Sequence, residues 1–593
     1  MRIHFYFAAL LFLLWSCQSV VEKKQDRSVG QVMDDVITRL YQNVPIEQYD
    51  SINDTFILKF LTDEEKVVLA TRYLYFTVDV PVTVSLMQHK EQTVIPFWMK
   101  DAGFVKTADV VKNEEGYEYE VWEKKYKAGK IELGINGFDK HRPVYFITVA
   151  PQSAKDDLQI TEVYPPEFAI NTMEIGAFTY HDWSDLVLTE MPDRLIGQKL
   201  FTTVRGRARE AHVIGAFRKT PFPSSSYPDQ IMLTWSGSPQ TTMDIQWRTD
   251  TTISDGTAKY WMVGSKDTVY LPASKLMVQD RMLYNDRYIN RFTAGLQNLK
   301  PGSAYMYQVG SKEKHVWSAT KSFNTEATDT KHFSFVWFGD THTFPDEGKL
   351  VSLAMEKNPD AAFYSIAGDL VSTGLNRDDW DKLFHYGSKI IEYKPLMPVL
   401  GNHDRQDGLG AQLYYDLFSL PKNGPEKVEP EGSYSFEYGN ALFIMIDCTS
   451  EVEDHTAWIE KTLANTKATW KFVMFHFPPY NFEEPYPDIQ KAWGPVFDKY
   501  HVDMVMGGHI HYYMRSQPMF NSNVVDSFDK GTVYAISIGI PGNHDTIGEE
   551  PYAVKRYAEG YFYQRMEIDG KVLKYTSVDS NGATTDEFVI KKK

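Results

Sequence analysis

Five short clusters of carboxylate, imidazole and amide residues stand in the C-terminal half of this chain, each directly after an apolar run. "FSFVWFGDTH" ends on Asp340 and His342, "AAFYSIAGDL" carries Asp369, and "PLMPVLGNHD" carries Asn402, His403 and Asp404. "WKFVMFHFPPY" carries His476, and "VDMVMGGHIH" carries His509 and His511. One such cluster is weak, because a single histidine after a strand is more often packed or solvated than a ligand. Five in order form a joint signal. Carboxylate oxygen, imidazole nitrogen and amide oxygen together suit Mn, Zn or Fe rather than soft copper sites. The tetrapeptide GNHD recurs at 542–545. That copy follows the last cluster, in "GTVYAISIGIPGNHDT", and Asn543 and His544 read as turn residues.

The elements that must position these side chains follow from patterning. From His332 onward, apolar strands ending in polar residues alternate with amphipathic segments such as "DHTAWIEKTLANT". This is an α/β layered domain, in which ligands bind at the carboxyl ends of strands. Residues i and i+2 of an extended strand project the same way, so Asp340 and His342 share a metal if their stretch stays extended. His509 and His511 require a turn if they serve different metals. Upstream, "TTMDIQWRTD" alternates Met243, Ile245 and Trp247 with Asp244, Gln246 and Arg248, which predicts one buried face. "TPFPSSSYPDQ" marks a boundary near 220–230.

The ordered set D-x-H, G-D, G-N-H-D, H, G-H-x-H resembles the calcineurin-like metallophosphoesterases. The text "DQIMLTW…MDIQWRT…LKPGSAYMYQVGS…WSATKSFNTE" resembles the fibronectin type III-like domain at the front of purple acid phosphatases. "HFPPY", "KYHVDMVMGGHIHYYMRSQP" and "RYAEGYFYQRMEIDGKVLKY" extend that resemblance over about residues 226–593. It implies a multidomain fold, with all-β sandwich domains before an α/β four-layer metallophosphoesterase β-sandwich flanked by helices. It also implies two divalent metal ions. Asp340, His342 and His511 would complete one shell and Asn402, His476 and His509 the other, with Asp369 bridging. A bridging hydroxide would attack phosphorus in line, and His403, not itself a ligand, would protonate the leaving alkoxide. Asp404 would accept a hydrogen bond from the His403 ring and hold its tautomer. Two divalent ions, two aspartates and one hydroxide sum to about +1, which attracts a phosphate dianion. Arg515, in "YYMRSQP", reads as a structural cation. The chain departs from purple acid phosphatases in having His342 where they have glycine, and Ser372 where they have the tyrosine that binds ferric iron.

Length and composition bound the rest. The 593 residues exceed one ordinary core, and 14% aromatic residues favour β-rich domains. A net charge of −17 repels nucleic acid, so none is expected as a partner. The start combines Arg2, an apolar run from Phe5 to Trp15, and then Ser16-Cys17, which is signal-peptide sized. Leu14-Trp15-Ser16-Cys17 resembles a bacterial lipobox, implying export to the cell envelope and a membrane anchor through lipidated Cys17, in the periplasm or outer membrane. The other cysteine, Cys448, then has no disulfide partner. The expected domains are 1–17 signal peptide, 18–60 tether and short helical segment, 61–215 β-rich accessory domain, 220–326 fibronectin type III-like domain and 330–593 metallophosphoesterase domain. The function read from all this is an exported phosphomonoesterase acting on phosphate esters. The alternatives are a phosphodiesterase or nucleotide pyrophosphatase on the same site, and a surface binding lipoprotein with a relic enzyme domain.

Overall fold

The computed structural model describes residues 27–139, 144–181, 183–343, 345–405, 408–483, 486–541 and 545–593. The signal segment with Cys17, and Asn543 and His544 of the second GNHD, lie outside the described residues. The chain forms two compact units; the first runs to Thr203 and takes in Arg207–Gly215, and the second comprises Val204–Gly206 and Ala216–Lys593.

In the first unit, the helix Val29–Asn43 starts on a capping box between Ser28 and Gln31. Its apolar residues Val29, Val32, Met33, Val36, Ile37 and Leu40 recur at helical spacing, and all are buried. This helix and two more, Asp54–Phe60 and Asp63–Thr71, belong to the same compact unit as the strands. The short helical segment expected within 18–60 is present as Val29–Asn43. The strands make a three-stranded and an eight-stranded sheet. Phe76 of the first meets Phe201 of the second at 4.6 Å between ring centres. Five of these strands fall in 151–215.

The second unit opens with a two-sheet sandwich from Asp229–Thr234 to Lys321–Asn324, of four and five strands. The strand Met243–Thr249 corrects the expectation of one buried face, since all seven of its residues are buried. Its polar face turns towards the following domain. Arg248 donates to Asp381 at 2.8 Å, and Asp244 accepts from Ser419 at 2.7 Å. Arg218 likewise reaches Asp378 at 2.8 Å, and Arg291 donates to the carbonyl of Leu417 at 3.0 Å. Asp378 and Asp381 lie on the helix Arg377–Ile391, so charge pairs hold sandwich and helix together.

The remaining residues form a five-stranded and a seven-stranded sheet. Alternation along Ala441–Met445 explains their stacking. Phe443 and Met445 join the core shared with the five-stranded sheet, while Leu442, Ile444 and Ile446 pack with Val452, Ile459 and Leu463 of the helix Val452–Asn465. On the other side, Leu350, Val351 and Ala354 of the helix Glu347–Lys357 and Trp380 and Leu383 of Arg377–Ile391 join the core of the five-stranded sheet. The result is four layers, helix–sheet–sheet–helix. Arg515, in the seven-stranded sheet, grips Asp586 of the five-stranded sheet through two hydrogen bonds, 2.6 and 3.0 Å. Asp586 also accepts from the Tyr513 hydroxyl at 2.8 Å. Both charges are buried. Replacing Asp586 with alanine leaves Arg515 uncompensated in this seam and should cost about 3–5 kcal/mol. Denaturant unfolding monitored by near-UV circular dichroism checks this; an unchanged midpoint would show that the seam does not depend on the pair.

Candidate metal centre

The strands that lead into four of the five clusters run in parallel within their sheets, while the run before Asn402 makes isolated parallel bridges from Leu396 to Tyr364 and from Val399 to Ala367. His332–Phe338 pairs in parallel with Tyr364–Ile366, and Trp470–Met474 with Met504–Gly507. Their carboxyl ends deliver Asp340, Asp369, His476 and His509. Asn402 and His403 open a four-residue helical turn, Asn402–Arg405.

The chain does not stay extended from Asp340 to His342. His342 and Thr343 adopt left-handed φ values of 45° and 58°, so a turn, not strand alternation, brings the imidazole back to the carboxylate. Asp369 (φ 49°) and His509 (φ 69°) share this conformation, which non-glycine residues rarely adopt outside constrained sites. Glycines supply the clearance. A Cβ on Gly401 would strike the amide and carboxylate of Asp369, and one on Gly508 the carboxylate of Asp340. At Gly368, with φ +91°, a side chain would strike the His476 ring.

Both aspartates are held in the same way. Asp340 accepts the His509 amide on Oδ1 at 2.7 Å, and Asp369 accepts the His403 amide on Oδ1 at 2.8 Å. Each Oδ2 then faces imidazoles. Asp340 Oδ2 lies 3.2 Å from His511 Nε2 and 3.6 Å from His342 Nε2. The two imidazole nitrogens are 3.3 Å apart. Asp369 Oδ2 lies 3.6 Å from His342 Nε2 and 3.2 Å from His476 Nε2. Asn402 Oδ1 is 3.1 Å from that same His476 nitrogen. The ligand atoms of Asp369, His476 and His509 lie within 4.8 Å of one another. Donors bound at 2.0–2.2 Å to one ion sit about 3–3.5 Å apart, so this spacing fits two ions sharing Asp369. The outer nitrogen of His476, Nδ1, donates to the carbonyl of Ala367 at 2.8 Å, which fixes Nε2 as the free donor atom.

The electrostatics favour cations. Burial alone would depress His476, but Asp369 and Asp340 push it up to about 9. Burial likewise opposes His511, yet its bond to Asp340 holds it up at about 9. His509 goes the other way; burial and the charge of His476 press it down to about 3. Burial would raise Asp340, but His476 and the hydrogen bonds from His342 and His511 hold it well below the carboxylate range.

Asp404 corrects the expectation. It does not touch the His403 ring. Its buried carboxylate accepts the amides of Gly401 (2.9 Å), Val371 (3.1 Å) and Leu370 (3.2 Å), tying the second and third clusters together. The His403 ring is oriented by a backbone group, donating from Nδ1 to the carbonyl of Ser372 at 2.9 Å. Ser372 also donates its hydroxyl to the carbonyl of His342 at 2.6 Å. Sequence reasoning missed Asp545, whose carboxylate accepts the His511 amide at 2.8 Å. Its position in the repeated GNHD was the available signal.

Comparison with known proteins agrees with this picture. Residues 228–325 match the family model for the purple acid phosphatase N-terminal domain, and 333–513 that for calcineurin-like phosphoesterase. A purple acid phosphatase of Glycine max is 25% identical over 350 residues, covering 54% of this chain and 74% of that protein. The Fe(3+)-Zn(2+) purple acid phosphatase 12 of Arabidopsis thaliana is 25% identical over 400 residues, covering 62% and 83%. An uncharacterized protein of Mycobacterium tuberculosis is 25% identical over 328 residues, which is 47% of this chain; the match spans only 60% of the relative's length. The structure of a purple acid phosphatase from yellow lupin seeds shares the fold, with a TM-score of 0.53, 15% identity and coverage of 88% of this chain and 91% of that one. The resemblance drawn from the motifs is thus borne out.

Two consequences are measurable. Because protons occupy His476 and His511 below about pH 9, Mn2+ must displace them. Its affinity should rise from pH 6 to pH 9 with proton release, read by calorimetry in buffers of different ionisation heat. Asp404→Ala and Asp545→Ala, which remove no donor atom from the cluster, should each weaken metal affinity about 10–100-fold. Unchanged affinity in both would mean that the loops keep their shape unaided.

Proposed function

We propose that the protein is an exported metal-dependent phosphoesterase that hydrolyses phosphate monoesters at the Asp369-centred cluster. The observation that carries this reading is the reach of one carboxylate oxygen, Asp369 Oδ2, to imidazoles of both donor groups, at 3.6 and 3.2 Å. When bound, a pair of divalent ions supplies Lewis acidity and an activated water. Asp340, His342 and His511 would hold one ion and Asn402, His476 and His509 the other.

The chain's own part is to fix geometry and to move one proton. Asp340 and Asp369 present Oδ2 because Oδ1 is tied to backbone. His403 projects beside the cluster, its ring 4.7 Å from that of His342. With Nδ1 committed to the Ser372 carbonyl, Nε2 is the nitrogen that gains a proton and passes it to the leaving oxygen. An anchor at Cys17 is supported by the residues "LLWSC" and would hold the enzyme at the cell envelope.

His403→Ala should retain both ions yet lower kcat about 10²–10⁴-fold for alkyl phosphates, whose alkoxide needs a proton. p-Nitrophenyl phosphate should suffer far less, because its phenolate leaves unprotonated. Equal losses on both substrates would remove His403 from the acid role, and faster turnover of bis-(p-nitrophenyl) phosphate than of monoesters would make the enzyme a diesterase. With Ser372 in place of an iron-binding tyrosine, the purified active protein should show no visible charge-transfer band; a purple preparation would contradict that assignment. Labelled palmitate should enter the wild-type protein in bacterial cells and not Cys17→Ser, and labelling of both would place the lipid elsewhere.

A further inference from the structure

The side chain after His476 begins a second feature of the site. Phe477 is only half-buried, and its ring stands edge-on to the His509 ring, with centres 4.7 Å apart. Tyr486, also half-buried, stacks on Phe477 at 5.0 Å with the planes only 15° apart, and its ring centre lies 6.0 Å from that of His509. Both rings rest on the core under the seven-stranded sheet, among residues such as Phe475, Ile489 and Trp493. The Phe477 amide donates to Cys448 Sγ at 3.2 Å, which ties the ring's backbone to the loop after Ala441–Met445. The same loop carries Asp447 and Thr449, and the guanidinium of half-exposed Arg405 lies 3.4 and 3.3 Å from them. Arg405 follows His403 by two residues, in the same helical turn as Asn402. A stacked aromatic pair therefore stands against His509, and a cation follows Asn402 and His403 in their helical turn.

The two stacked rings pack on the core beneath them, yet each keeps part of its surface exposed beside a polar cluster. Aromatic faces in such a place bind flat rings by stacking, and they do so with little regard to ring substituents. An alkyl alcohol with hydroxyls gains nothing comparable from them.

We propose that Phe477 and Tyr486 form a leaving-group subsite that selects phosphate monoesters of ring-bearing alcohols, aryl or nucleoside, over esters of small aliphatic alcohols. This deepens the phosphomonoesterase reading and rests on it. The phosphoryl group would lie at the donor cluster while the planar ring of the departing alcohol lies along the Tyr486 side of the stack. Stacking of this kind is worth about tenfold in affinity or kcat/KM.

The test separates the subsite from the hydrolysis. Phenylphosphonate and methylphosphonate carry an uncleavable P–C bond, so their binding to the Zn2+-loaded protein can be titrated without turnover. Phenylphosphonate should bind about tenfold more tightly than methylphosphonate in the wild type. Tyr486→Leu, which keeps apolar cover on the core, should bring that ratio near one, and Tyr486→Phe, which keeps the ring, should preserve it. In kinetics, the kcat/KM ratios of phenyl phosphate and of adenosine 5′-monophosphate to glycerol 2-phosphate should follow the same pattern. Loss of the phenyl ratio alone in Tyr486→Leu confines the subsite to aryl esters, and loss of both ratios extends it to nucleosides. Equal affinity for the two phosphonates in the wild type, or a ratio untouched by Tyr486→Leu, overturns the subsite even if hydrolysis is confirmed. A tenfold phosphonate preference with no turnover of any ester, under Mn2+ or Zn2+, defeats the hydrolysis reading and leaves the shelf as a binding site.

Discussion

The centre depends on a division of labour within two carboxylates. In Asp340 and Asp369, one oxygen is spent on a backbone amide of a distant loop, and the other is left for the imidazoles. The amides belong to His509 and His403, so the bond that aims each aspartate also places a histidine. Two buried anions that both face His342 would repel each other, and burial would favour their protonation. The surrounding histidines reverse that balance, holding both acids below their ordinary range. Both sheets must contribute, because the strand before Asp340 and the strand before His509 lie in different sheets.

Much of this was legible in the chain because donor chemistry is written in residue types. Carboxylates, imidazoles and an amide in one order, each after an apolar strand, are enough to propose seven ligand candidates. The geometry that unites them was less legible. Nothing in "GDTH" announces that the backbone reverses at His342, since a left-handed turn there is paid for by neighbours remote in sequence. The partner of Asp404 was misjudged because its nearest neighbour in sequence, His403, is not its neighbour in hydrogen bonding. Three amides were a better match for its acceptor oxygens than one ring. Asp545 escapes because the second GNHD reads as a turn, whereas its carboxylate accepts the His511 amide.

The strand Met243–Thr249 teaches the opposite lesson. Its alternation is real, and one face is indeed polar, but that face is buried and not exposed to solvent. Arg248 and Asp244 instead meet Asp381 and Ser419. A polar face tells the reader that hydrogen bonds are needed there; it does not say whether water or protein provides them. The buried Arg515–Asp586 pair makes the same point between the two sheets.

The seam along the helix Arg377–Ile391 also bears on how such a molecule can change over generations. Asp378 and Asp381 find their counter-ions on the sandwich side, in Arg218 and Arg248. An exchange of the front domain for an unrelated one would remove both arginines and leave Asp381 to Arg377 of its own helix. The sandwich and the domain behind it should therefore tolerate joint replacement better than exchange of either one alone.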